Sequence, residues 1–207
     1  MKKILLLLLL LMPITGTLSA QNKQAGTKFV LTDRGVDVLN SHTLALTPPA
    51  GSVYDKAVYQ PQSDEDIDGI TYNLFKGKNT IGEAIMYDDH LTEFTVWGSH
   101  IVLDNGLKVG DNILEALEQG KVKAYAVFNM MEGAIEVYFR HGRVIVNAQA
   151  ETSPTASVKL QEIEDATIQS WEEGEYELTT LELEPDDFTS GGAVTSFTLS
   201  IPWAEGR

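Results

Sequence analysis

From Ile70 to Asn147 the chain alternates short β-branched and aromatic runs with turn residues, in separators that leave room only for hairpins. Ile70 to Phe75, Ile81 to Tyr87 and Leu91 to Trp97 are parted by Lys76-Gly77-Lys78-Asn79 and Asp88-Asp89-His90. Val122 to Phe128, Ala134 to Arg140 and Arg143 to Asn147 are parted by Met131-Glu132-Gly133 and His141-Gly142. Parallel neighbours need a crossover of about a dozen residues or more, so each set of runs is expected to be an antiparallel meander.

Between the two sets stands Ile101 to Gly120, IVLDNGLKVGDNILEALEQG. A strand over His100 to Leu103 should end at Asp104-Asn105-Gly106, residues that tolerate positive φ. Leu107 and Val109 alternate with Lys108, Gly110 lets the backbone turn, and Asp111 is the expected N-cap of a short helix. Ile113, Leu114 and Leu117 define its inward face, with Asn112, Glu115 and Glu118 toward water and Gly120 suited to the left-handed C-terminal cap. The expected fold class is α+β: a mostly antiparallel curved sheet of two meanders flanking one short helix.

The run Gly106 to Leu114, in which Gly106 is followed by Leu107 and Val109 on either side of Lys108, then by Gly110-Asp111, Asn112 and the apolar pair Ile113-Leu114, resembles a unit of small secreted domains in Gram-negative envelopes. It is similar to the β-lactamase inhibitor protein superfamily, to the small outer-membrane assembly lipoproteins and, more loosely, to the RpoE-regulated lipoprotein family of unknown function. The resemblance implies an α+β domain that acts by binding. It implies no functional residue, because the motif is a folding device.

At the N-terminus, Lys2 and Lys3 precede an apolar run from Ile4 to Met12, followed by Pro13, Gly16, Ser19 and Ala20. These are the three regions of a secretory signal peptide, with cleavage expected near Ala20 and a periplasmic or secreted product. The apolar run is shorter than the roughly 20 residues a bilayer crossing takes, so no stable membrane anchor is expected. The chain has no cysteine, which removes bacterial lipidation, disulfides and thiolate chemistry together. Its formal charge of −15 repels phosphate backbones and anionic lipid, and nucleic acid is excluded as a partner.

The expected organisation is a signal peptide over 1–20, a main α+β domain over 21–148, a linker over 149–158 and a C-terminal β segment over 159–207 that packs on the main sheet. The linker rests on the Pro-interrupted run QAETSPTAS from Gln149 to Ser157. Beyond it, Tyr176 to Leu183 and Ala193 to Trp203 read as strands around one helical turn at Pro185-Asp186-Asp187-Phe188. Two strands cannot stand alone. Near the other end, Lys28 to Thr32 reads as a first strand before an Asp33-Arg34-Gly35 turn, and Val36 to Tyr59 is irregular.

Chemistry is sparse. Asp64, Asp66 and Asp68 before Gly69 repeat the first half of an EF-hand loop and are the candidate metal ligands, for Ca²⁺. Phe75 occupies the place of the closing glutamate, so weak binding at most is expected. His42, His90, His100 and His141 show no i, i+4 pair and no zincin motif, and no Gly-x-Ser-x-Gly elbow occurs. Trp97, Trp171 and Trp203, with Tyr72, Tyr125 and Tyr138, are either strand core or the lining of a groove. The sequence therefore points to a non-enzymatic binding domain for an unknown protein or small ligand, without a cofactor apart from the candidate Ca²⁺. The alternative is a carboxylate-dependent hydrolase acting on glycan or peptide, which the 30 acidic residues could furnish.

Overall fold

A computed structural model describes residues 28–40, 42–61, 69–174 and 179–201. The Asp64-Asp66-Asp68 loop, the signal peptide and Trp203 lie outside these residues. Both expected meanders form. The first comprises β3 (Ile70–Lys76), β4 (Asn79–Tyr87) and β5 (His90–Val96) and gains an edge strand, β2 (Lys56–Tyr59), from the stretch expected to be irregular; β1 (Phe29–Leu31) precedes them in the chain. After β6 (Ile101–Leu103) and α1 (Ile113–Glu118) comes the second, β7 (Lys123–Asn129), β8 (Ala134–His141) and β9 (Val144–Asn147). The chain then runs through β10 (Ala150–Thr152), α2 (Pro154–Glu172), β11 (Thr180–Leu183), a 3₁₀ turn at Pro185–Asp187, β12 (Phe188–Gly191) and β13 (Ser196–Ser200).

Nine strands form one antiparallel sheet in the order β11-β7-β8-β9-β13-β5-β4-β3-β2. The last of the described strands in sequence is the middle of the sheet, and it joins the two meanders. Phe197 sits opposite Val96 on one side and Val146 on the other, all buried, so one phase of β13 closes the core. The other phase is hydroxylic. Thr198 Oγ1 lies 2.8 Å from Thr95 Oγ1, Asn147 Nδ2 donates to Ser196 Oγ and Thr198 Oγ1 at 2.9 Å, and Ser200 donates to Glu93 at 3.0 Å. Cross-strand pairs of this kind fix register, since a slip of one residue would put Phe197 and Leu199 in water. Register shifts after Leu74 and Ile85 bend β3 and β4.

β1 and β6 pair in parallel as a separate ribbon, Phe29 opposite Ile101, and β10 and β12 form another, antiparallel. Leu31, Leu39, Tyr54, Phe94, Ile101, Ile113, Phe139 and Phe197 belong to a single buried cluster. Tyr54 is fully buried, and its hydroxyl donates to Ala45 O at 2.7 Å. Burial, partly offset by that bond and reinforced by nearby Asp37, pushes its phenol up to about 12.

Two expectations about helices need correction. The N-cap of α1 is Asn112, one residue after Asp111: Asn112 Oδ1 accepts from Leu114 N at 2.9 Å and Glu115 N at 3.1 Å. Asp111 instead accepts from Lys108 N. Both side chains suit a cap, and tertiary bonding chooses between them, because Asn112 Nδ2 also donates to Gly191 O at 2.9 Å. The inward face is consequently Ile113, Ala116 and Leu117, with Leu114 half-buried. The other end is as expected, since Gly120 adopts φ +67° while Gly120 N and Lys121 N donate to Leu117 O and Ala116 O, the paired bonds of a Schellman motif.

The second correction concerns 149–158 and the residues after it. Ala150–Thr152 is a strand, and Ser153 is the N-cap of a 19-residue helix, with Pro154 in its first turn where a missing N–H costs nothing. That helix occupies the first part of the expected C-terminal β segment. Its buried residues are only Ala156, Leu160, Ile163 and Thr167, about one per turn, too sparse a stripe to announce a helix by periodicity. Lys159 fastens its second turn to the 3₁₀ turn: Nζ lies 2.6 and 2.9 Å from the two oxygens of buried Asp187. Burial pushes Asp187 up, but the Lys159 ammonium and the Glu184 N–H outweigh it and hold the carboxyl below its ordinary range.

Candidate functional site

The histidines are structural where the structure places them. His141 Nε2 lies 2.6 Å from Asp104 Oδ1 and its Nδ1 2.9 Å from Asn105 Nδ2. Nδ1 also lies 3.0 Å from Lys121 O, so both ring nitrogens are engaged by neighbouring groups and neither is left to deprotonate a nucleophile. This contact ties the turn after β6 to the β8–β9 hairpin. His100 Nε2 meets Val53 O at 3.0 Å, and its ring stands edge-on to Phe29. The rings of His42 and His90 come within 6.4 Å, and His90 Nδ1 contacts Asp88 O at 2.6 Å. Among the described residues no group of three or more His, Asp or Glu side chains converges as a metal site.

The aromatic candidates divide. Tyr125 and Tyr138 stack at 5.6 Å on the sheet face opposite the core, and Trp97 Nε1 donates to Thr80 O at 3.0 Å. Tyr59 and Tyr72 meet edge to face at 6.2 Å. They do not gather into one groove.

What the fold does form is a cleft that no motif announced. Past Asn147 the chain parts from β8 and stays with the residues before β13: Thr195 N and Oγ1 donate to Asn147 O, and Gly192 N donates to Gln149 O at 2.7 Å. The β10–β12 ribbon follows at once, and it is held in turn by α1. Ile113 N donates to Gly192 O, and a side chain at Gly191 would come within 2.4 Å of Leu114 Cγ. Only glycine permits that approach. The ribbon thus stands off from β8, and a cleft of about 740 Å³ opens between them.

Its floor is the core-facing phase of β8, Ile135, Val137 and Phe139, together with Leu160 of α2. Its rim is neutral and polar apart from Glu151, whose Oε2 accepts from the Ser190 hydroxyl at 3.0 Å. A second cavity of about 440 Å³ shares Val137, Phe139, Ala148, Gln149 and Gly192 and continues it into the wedge between β8 and β9. An apolar floor with a few placed polar groups is the usual make-up of a ligand site, and the size falls in the usual range.

No protein-family model matches the chain, and no curated protein matches it. Among solved structures, the uncharacterized protein yfeY from Escherichia coli is similar at 12% identity, with a TM-score of 0.40 over 83% of this chain and 99% of that one.

Proposed function

We propose that the chain is an exported, non-enzymatic binding domain whose ligand site is the cleft beside β8. The observation that carries this is the cleft's chemistry. Apolar side chains floor it, backbone, amide and hydroxyl groups edge it, and among the described residues that line it stand no histidine and one carboxylate. Such a surface holds a ligand without a group placed to transform it. Hydrolysis by paired carboxylates needs two of them about 5 to 10 Å apart across the substrate, and Glu151 has no second acid facing it among the described lining residues. The N-terminal leader pattern supports export, and the resemblance of Gly106 to Leu114 to envelope domains that act by binding agrees with the same reading.

Amide-resolved NMR of residues 21–207, titrated with a library of short peptides and apolar fragments, is the test. Shifts centred on Val137, Gln149 and Gly192 are expected. Turnover of a glycan or peptide substrate that disappears in Glu151→Gln would overturn the proposal.

A further inference from the structure

We infer that the cleft receives an extended, cationic peptide segment of a partner protein, which adds as a strand to the open edge of β8. The inference rests on the reading of the cleft as the binding site and names its ligand class.

The edge follows from the hairpin. His141 and Val144 pair across the two-residue turn Gly142-Arg143, so they must exchange both backbone hydrogen bonds. Alternation then directs the N–H and C=O groups of Phe139, Val137 and Ile135 toward the β9 side, and those of Arg140, Tyr138 and Glu136 toward β7. β9 reaches only Phe139, through Val146, before the chain departs. The peptide groups of Ile135 and Val137 make no hydrogen bond to any described residue. Unmet donors and acceptors in a row are what strand addition uses. β10, on the far side of the cleft, is likewise paired on one side alone among the described residues.

The same geometry selects the occupant. A strand laid beside Val137 would send alternate side chains onto the apolar floor and the rest toward the opposite face, beside exposed Glu136. Among the described residues no Lys, Arg or His lines either cavity and Glu151 is the one charged lining residue, and the chain carries −15 overall. A peptide alternating apolar with basic residues complements all three. The unpaired stretch is also very short, which suits a single segment better than the edge of a second copy.

The test uses residues 21–207 and labelled peptides alternating valine with lysine, read by fluorescence anisotropy. Two N-methylated forms block the N–H groups of one phase or the other. One form is expected to bind about tenfold more weakly and the other about as well as the parent, the loss corresponding to one or two backbone hydrogen bonds. Val137→Pro removes an edge donor that no β7 bond uses, and should weaken binding similarly while leaving the circular dichroism unchanged. Should that variant misfold, protection of the Ile135 and Val137 amides from exchange on adding the parent peptide decides instead. Equal binding by both methylated forms, or by a glutamate-for-lysine peptide, would overturn the inference, as would a concentration-dependent dimer through this edge in sedimentation. If apolar fragments shift Val137 and Gln149 but no peptide binds, strand addition falls and the cleft remains a binding site; if neither binds, both fall.

Discussion

Removing the Asn112 side chain should destabilise the protein by more than any helix-capping contribution alone, because that side chain does two jobs. Its Oδ1 caps α1 through Leu114 N and Glu115 N, and its Nδ2 binds Gly191 O on β12. Loss of an N-cap costs about 0.5 to 2 kcal/mol, and loss of one further hydrogen bond to a half-buried carbonyl about 1 kcal/mol. Asn112→Ala is therefore expected to cost about 1.5 to 3 kcal/mol. Asn112→Asp separates the jobs, since aspartate accepts as a cap but cannot donate to Gly191, and should cost about 1 kcal/mol. Asp111→Ala loses one acceptor for Lys108 N and an exposed ion pair at 3.8 Å, and should cost about 0.5 to 1 kcal/mol. Urea melts measure all three; for m of about 2 to 3 kcal/mol/M the midpoint of Asn112→Ala should fall by about 0.5 to 1.5 M with m unchanged. If Asp111→Ala proved as costly as Asn112→Ala, the cap and its tie to the ribbon would be misassigned.

Leu117→Ala should cost about 2 to 5 kcal/mol and Glu118→Ala under about 0.5 kcal/mol in the same melts, the one side chain being buried and the other exposed. Asp187 is held ionised by Lys159, so its stabilisation is fully present above its unfolded value of 3.8 and is lost as pH falls through the lower folded value. Asp187→Asn should lower stability at neutral pH by about 1.5 to 3 kcal/mol, the range for a hydrogen bond to a charged group, and flatten the acid limb of a pH series of melts. Tyr54 behaves oppositely: its phenol is raised from 10.0 to about 12, so its contribution is intact below pH 10 and is lost as pH rises toward 12. Tyr54→Phe should cost about 1 kcal/mol at neutral pH through the bond to Ala45 O and reduce the alkaline loss.

The meanders were legible because their period and turns are local: Gly77 and Gly142 adopt positive φ where the sequence placed turns. The place of β13 was not, since nothing in Ser196–Ser200 names Val96 and Val146 as the neighbours of Phe197. A strand's sequence states which face it buries and leaves its partners to the fold. α2 was hidden by a polar sequence whose helical face shows about one apolar residue per turn. Asn112 and Asp111 are equivalent caps until Gly191 is brought beside one of them. The cleft has no sequence signal of its own, because it arises where the chain after Asn147 follows Thr195 and Gly192 into the β10–β12 ribbon instead of pairing with Val137. The Asp64, Asp66 and Asp68 expectation stays with the sequence, outside the described residues.

Amide hydrogen exchange along β8 in the free protein tests the open edge most directly. Glu136 and Tyr138 point toward β7 and should exchange slowly, while Ile135 and Val137, pointing into the cleft, should exchange far faster, an alternation confined to the stretch before Phe139. Uniform protection from Ile135 to Phe139 would mean that the edge is already closed, and the cleft could not then take a strand.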